Sequence, residues 1–176
     1  MDTVSALHPD LAQQIGLLPA VEGADTSAPV PSLPIDWALY WQAKGLHIFP
    51  CKRFLGSPIP TNWYKDATDK RNTIIEWWST WELQDADLAA VPERSGHFVI
   101  AAYADEGGLE TLDALEDNYG EIPADISYET RWGDVYLWLK GRVYTRRNAL
   151  GPGVHTLGSG QYVFLPPSLA PHHVWK

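Results

Sequence analysis

Hydrophobic positions divide the chain into segments with the period of a helix and segments with the period of a strand. Helices are predicted over residues 35–45, 72–81 and 109–120. Asp36 and Asp69 are the predicted N-caps of the first two, because an aspartate side chain accepts hydrogen bonds from the free N–H groups of a helix start. Gly45 and Gly120 are typical of helix ends, where the backbone often becomes left-handed.

Six segments are predicted to be strands, because their apolar residues either alternate or run without interruption. They are residues 46–50, 88–93, 97–104, 126–132, 135–141 and 155–168. The run Val99–Ala104 has no polar face, so it is predicted to have strand neighbours on both sides. Gly133 and Asp134 predict a turn, and Gly158–Ser159–Gly160 predicts a hairpin rather than a phosphate-binding loop. The order of elements favours an α+β fold, in which helices flank one mixed central β-sheet.

The first 34 residues are predicted to form a mostly disordered tail or linker. Residues 22–34 are rich in Pro, Ser, Ala and acidic residues, so they bury too little surface to offset the entropy lost on ordering. A short helix is compatible with residues 9–18, before a linker at residues 19–34. The folded domain is therefore predicted over residues 35–176.

Composition narrows the class of protein. The 176 residues are 45% hydrophobic and 20% charged, which is typical of one globular domain. A single cysteine, Cys51, excludes an internal disulfide and indicates a reducing, cytoplasmic setting. Neither a membrane span of about 20 apolar residues nor a signal peptide is predicted. The formal charge of −9 means that nucleic-acid binding needs a local basic patch.

Few side chains indicate chemistry by themselves, since the phosphate-loop, H-E-x-x-H and G-x-S-x-G motifs are absent from the sequence. Asp105 and Glu106 could be catalytic carboxylates, although capping of the next helix is the simpler interpretation. A basic set could contact phosphate or form a solvated loop surface; it comprises Lys52, Arg53, Lys65, Lys70 and Arg71.

Four segments are specific in combination: DWALYWQAKGLHIFPCK, KDATDKRNTIIEWWSTW, ADLAAVPERSGHFVIAAYADEGGLETL and HTLGSGQYVFLPPSLAPHHVWK. In this order they resemble the N-terminal domain of bifunctional DNA primase/polymerases (Prim-Pol), in the archaeo-eukaryotic primase superfamily. The resemblance runs from about Asp36 to Trp175. It implies a primase/polymerase-like fold with an RRM-like core, and a role in replication of a phage, plasmid or other mobile element.

Active members of that family use carboxylates to hold two divalent metal ions against the nucleotide phosphates. The resemblance assigns the two acids of the family's D-x-D motif to Ala102 and Ala104, and a third acid to His155. The other assignments are a triphosphate-binding histidine at Tyr136, a lysine near Gly56–Ser57 and an arginine at Leu157. The resemblance therefore implies a degenerate active site that binds no metal and needs no cofactor, because an alanine methyl cannot coordinate a metal ion.

Three functions follow from these observations. The favoured one is a catalytically degenerate module that binds nucleic acid, a nucleotide, or a replication or helicase protein. Its predicted binding residues are Lys52, Lys65, Arg131, Tyr136, Arg146, Arg147 and Ser159. An active primase/polymerase would instead use Asp105, Glu106 and Asp134 with Mg²⁺ or Mn²⁺. The third is an acidic, phage-encoded inhibitor that binds a protein through a tryptophan-rich surface.

The placement of six cations distinguishes nucleic acid from a protein as the partner. Convergence on one face beside Trp132 or Tyr136 favours nucleic acid, whereas scatter favours a protein partner. The six are Lys65, Arg71, Arg131, Arg142, Arg146 and Arg147.

Overall fold

The computed structural model describes residues 31–80 and 82–168, so most of the predicted tail lies outside the described residues. The helices are α1 (Pro34–Ala43), α2 (Trp63–Asp66), α3 (Arg71–Ser79) and α4 (Gly108–Tyr119). The strands are β1 (Ile48–Cys51), β2 (Asp87–Ala90), β3 (His97–Ala102), β4 (Ile126–Glu129), β5 (Val135–Lys140), β6 (Arg146–Gly151), β7 (Val154–Leu157) and β8 (Val163–Phe164). None of the described helices is long and apolar enough to span a membrane.

The strands form two sheets rather than one, although the α+β class is confirmed. One sheet has the order β1-β2-β8 and the other the order β4-β5-β3-β7-β6, and all pairs within them are antiparallel. The predicted single mixed sheet is therefore wrong. Residues 155–168 alternate like one hairpin, but β7 pairs with β3 and β8 pairs with β2.

The segment Gly158–Ser159–Gly160 consequently crosses between the two sheets, and the predicted hairpin is wrong. Gly158 lies directly against the main-chain carbonyl of Val143, where a side chain would not fit. A glycine is needed here because two backbone segments approach closely.

Strand β3 has strand neighbours on both sides, as predicted from its apolar run, because β5 and β7 flank it. Alternate residues of β3 face opposite layers. Val99 and Ala101 pack into a cluster that includes the tryptophans of α1. Ile100 and Ala102 pack on the other face, against Leu112 of α4. The centre of the five-stranded sheet is thus buried on both faces.

The predicted helix caps differ from the observed ones. Helix α1 begins at Pro34, and proline suits the first helical position because it has no N–H to leave unpaired. Asp36 therefore lies inside the first turn, where its carboxylate accepts a hydrogen bond from the N–H of Leu33 at 3.2 Å. Lys70, rather than Asp69, is the N-cap of α3.

Most tryptophans build the core rather than a surface. Among the described tryptophans, four are buried, two are half-buried and only Trp132 is exposed, at 39%. The buried ones are Trp37, Trp41, Trp78 and Trp138. The prediction of a tryptophan-rich docking surface is therefore wrong for the described part of the chain, because the rings pack between the sheets.

Candidate functional site

The antiparallel register places four residues in one row across the five-stranded sheet. Tyr128 of β4 pairs with Tyr136 of β5, Tyr136 pairs with Ala101 of β3, and Ala101 pairs with His155 of β7. Tyr103 follows Ala101 by two residues, and its ring lies 4.7 Å from that of His155. All five residues are buried. We call them the tyrosine–histidine cluster.

The tyrosines of this cluster stay protonated. The rings of Tyr128 and Tyr136 stack at 5.4 Å with an angle of 9° between their planes. The Tyr128 hydroxyl donates to the carbonyl of Phe164 at 2.7 Å. Burial raises the pKa of Tyr103 to about 12 and raises the pKa of Tyr136 well above its ordinary value. The phenols are therefore neutral near pH 7.

His155 is held in one tautomer by groups on both sides of the ring. Its Nδ1 accepts a hydrogen bond from the backbone N–H of Asn148 at 3.0 Å, so the proton of the neutral ring is on Nε2. Nε2 lies 3.2 Å from Oε2 of Glu106. The other oxygen of Glu106 accepts from Arg147 at 2.9 Å. Burial is the main cause that lowers the pKa of His155, outweighing the opposing effect of Glu106.

A local distortion of β6 aims the Asn148 N–H at His155. The register of β6 shifts between Arg146 and Gly151, and Asn148 has a φ of 49°. Asparagine is one of the few residues other than glycine that adopt this left-handed conformation readily. The Asn148 side chain also accepts from the N–H of Gly153 at 3.0 Å, which holds the bulge in place.

Because folding lowers the pKa of His155, its contribution to stability is present above its unfolded pKa, about 6.5, and is lost as pH falls towards the folded value. His155→Gln should lower the free energy of unfolding, and we expect this loss to be smaller at about pH 5 than at neutral pH. Urea titrations of both proteins at several pH values test this. A difference that is constant or grows on acidification contradicts it.

A family model described as "Bifunctional DNA primase/polymerase, N-terminal" matches residues 38–175. The chain belongs to the Prim-Pol family. The match covers most of the sequence, including all strands of both sheets. A search of curated proteins found no match.

Two positions that the sequence resemblance assigned to Prim-Pol acids, Ala102 and His155, lie on opposite faces of the five-stranded sheet. Ala102 faces α4, whereas Tyr136 and His155 lie on the opposite face of the sheet. Side chains that act together must share a face, and those beside His155 are Ala101 of β3 and Tyr103, which follows the strand. Ala102 therefore cannot hold a ligand together with His155, and the assignment of the D-x-D motif stays a prediction.

The chemistry of these positions does not fit the two divalent ions that the Prim-Pol family implies. Ala101, Ala102 and Ala104 offer methyl groups, Tyr103 offers a neutral phenol, and the unprotonated nitrogen of His155 already accepts a hydrogen bond from Asn148. Within residues 31–80 and 82–168, no group of three or more His, Cys, Asp or Glu side chains could hold a metal ion.

The three acids of the alternative active site surround Tyr103, and the charge of each raises the pKa of that phenol, although burial has the larger effect. Glu106 is engaged by His155 and Arg147. Asp134 is 1% exposed and its carboxylate accepts from the N–H of Ala104 at 3.0 Å. Asp105 is exposed and does not cap α4, whose N-cap is Gly107. The capping interpretation of Asp105 and Glu106 is thus wrong.

Two of the predicted binding residues lie beside an acid that sequence reasoning missed. The Ser159 hydroxyl donates to Glu93 at 3.3 Å, and the Tyr64 hydroxyl donates to the same carboxylate at 2.7 Å. The Tyr64 hydrogen bond is the main reason why the pKa of Glu93 is lowered. The main-chain carbonyl of Lys65 accepts from Arg94 beside this group. A phosphate at this place would meet the negative charge of Glu93.

The other predicted binding residues occupy separate places. Lys52 lies in the loop after β1, where its N–H donates to the carbonyl of Ser57 at 2.8 Å. Arg131 lies over the ring of Trp132 at 5.0 Å, in the turn between β4 and β5. Tyr136 is buried and out of reach of a ligand. Arg146 and Arg147 belong to β6, at the outer edge of the sheet.

Proposed function

We propose that this Prim-Pol chain is a catalytically degenerate member of its family that binds nucleic acid in the replication of a phage, plasmid or other mobile element. Binding needs no divalent metal ion, and no nucleotidyl transfer follows it. Two alternatives are an active primase/polymerase that uses Asp105, Glu106 and Asp134, and an acidic inhibitor that binds a protein.

The observation that carries the proposal is the buried tyrosine–histidine cluster, which includes His155, a position that the resemblance assigns to an acid. Phosphoryl transfer needs metal ions or fixed cations that stabilise the charge developing on the phosphates. The cluster offers neutral phenols and a neutral imidazole instead, and the one carboxylate beside His155 is paired with Arg147. The cluster stabilises the fold and leaves no group for this chemistry.

Family membership and exposed arginines support nucleic acid as the ligand. Arg146 and Arg147 lie exposed on β6, and arginine contacts with phosphate provide affinity without reference to sequence. Such binding depends on salt rather than on a metal ion. It remains available to a family member that has lost its metal-binding carboxylates.

The experiment is titration of a fluorescein-labelled oligo(dT) with the full chain, followed by fluorescence anisotropy in EDTA, in Mg²⁺ and in Mn²⁺. We expect binding that weakens as salt increases and that EDTA does not abolish. Binding that requires the metal ion together with a nucleoside triphosphate would support the active enzyme. Absence of oligonucleotide binding under all conditions would contradict the proposal.

A further inference from the structure

Charge is strongly segregated along the sequence. All 22 acidic residues lie within residues 1–134, together with eight of the 13 lysines and arginines. Residues 135–176 contain no aspartate or glutamate and five lysines and arginines. The last quarter of the chain is therefore cationic, although the whole chain carries a net charge of −9.

Three of these five cations lie close together in sequence at one edge of the five-stranded sheet. Strand β6 is the outermost strand after β7, and Arg142, Arg146 and Arg147 lie on it or just before it. Tyr144 lies between them and is 83% exposed. The other three of the six cations that distinguish the partner belong to α2, α3 and the β4–β5 turn. The six therefore lie on four separate segments rather than together, which by itself favours a protein partner, and the case for nucleic acid depends on the three cations at β6.

The segment before β6 has one face towards the protein and one towards solvent. The carbonyl of Val143 accepts from the N–H of Ser159 at 3.3 Å, and the hydroxyl of Thr145 accepts from the N–H of Gly158 at 3.1 Å. The intervening residues Arg142, Tyr144 and Arg146 are exposed. We call these three the edge strip. In an extended chain, Arg142 and Arg146 are about 13 Å apart, with Tyr144 midway.

The charges of the edge strip are only partly compensated. Arg147, outside the strip, is paired with Glu106. Arg142 is close enough to Glu93 to help lower its pKa, although the hydrogen bond from Tyr64 is the larger cause. Arg146 forms no ion pair with any residue in the described part of the chain. A flexible anion of the length of the strip would therefore gain charge contacts at both ends.

We propose that the edge strip binds single-stranded nucleic acid without sequence preference, with one base stacked on Tyr144 and its flanking phosphates on Arg142 and Arg146. This inference rests on the proposed function and moves its binding site away from the closed tyrosine–histidine cluster. A tyrosine face stacks on any base, and arginines bind the phosphates at either side.

An acidic peptide strand added to the sheet edge is the competing ligand, and the backbone disfavours it. Addition of a strand needs a regular row of free N–H and C=O groups along the edge. The register of β6 shifts between Arg146 and Gly151, and Asn148 is left-handed. Such bulges interrupt the ladder and protect an edge from pairing. Recognition at this edge therefore uses side chains.

The test measures binding of labelled oligo(dT) by the full chain over a range of salt concentrations. The double variant Arg142→Gln/Arg146→Gln should bind at least about tenfold more weakly, with a salt slope smaller by about 1.4, because two phosphate contacts are lost. Tyr144→Ala should bind about fivefold more weakly or worse, and Tyr144→Phe should bind like the wild type. Lys70→Gln/Arg71→Gln, at the exposed start of α3, changes the net charge equally and should stay within about twofold of the wild type.

The outcomes separate this inference from the proposed function. Wild-type binding that the edge variants do not weaken, or that the α3 control weakens equally, overturns the edge strip and leaves the proposed function intact. Wild type that does not bind oligo(dT) overturns both. Competition by poly-glutamate as strong as that by unlabelled oligo(dT) would identify an acidic protein segment as the ligand, and tighter binding of duplex DNA would refute the preference for single strands.

Discussion

Tyr136→Ala should lower the free energy of unfolding by about 3–5 kcal/mol, the usual loss when a buried aromatic side chain is truncated. Tyr136 is 4% exposed, stacks on Tyr128 and occupies the position that the sequence resemblance assigned to a triphosphate-binding histidine. In an open catalytic site the same substitution would cost little stability. Chemical denaturation followed by circular dichroism measures the difference.

Tyr144→Ala is the matched control, because it removes the same side chain at an 83% exposed position. It should change the free energy of unfolding by less than about 0.5 kcal/mol. Similar small losses for both variants would mean that the tyrosine–histidine cluster is not packed in solution, and the account of a filled site would then be wrong.

Gly108→Ala should be comparably damaging, because no space exists for a methyl group at the first residue of α4. A Cβ there would lie against the carbonyl of Gly153, 2.5 Å from the N of Tyr103 and 2.8 Å from its O. These are backbone atoms, which cannot turn aside as a flexible side chain can. We expect a loss of about 3 kcal/mol, at the upper end of the cost of overpacking.

Asp113→Ala on the exposed side of the same helix is the control for Gly108→Ala. It introduces the same residue type where nothing is displaced, so its effect should stay within about 0.5 kcal/mol. Thermal or urea unfolding of the two variants measures the contrast. A Gly108→Ala protein as stable as Asp113→Ala would contradict the close approach of α4 to the end of β3.

The sequence predicted best those elements whose signal is local. The uninterrupted apolar run of β3 predicted a central strand, and the leucine spacing with Gly120 predicted α4, which ends at Tyr119. The family resemblance depends on four segments in order and did not need exact strand boundaries. It was confirmed over residues 38–175.

The pairing of strands that are far apart in the sequence could not be predicted from local patterns. Whether residues 155–168 form one hairpin or join two sheets depends on partners in β2 and β3, which are far away in the sequence. Which of Ala101 and Ala102 lies beside His155 depends on pairing of the same kind. A strand places alternate residues on opposite faces, so only the pairing with β5 and β7 identifies which alanine shares a face with His155.

The contacts of His155 could not be found from sequence either. One partner of His155 is Glu106, which also binds Arg147, 41 residues further along the chain. The other partner of His155 is the backbone N–H of Asn148, which a bulge in β6 directs at the ring. No sequence motif predicts either contact. The only hint is the combination of alanine and histidine at positions that the resemblance assigns to acids.

Primer extension tests the central claim most directly. The full chain is incubated with a labelled primer on a template, all four deoxynucleotides and either Mg²⁺ or Mn²⁺, with an EDTA reaction as the control. Because Ala102, Ala104 and His155 stand at the positions that the resemblance assigns to acids, we expect no extension above the EDTA control. Metal-dependent extension that Glu106→Gln or Asp134→Asn abolishes would contradict it, since the activity would then belong to this chain and to its shifted acids.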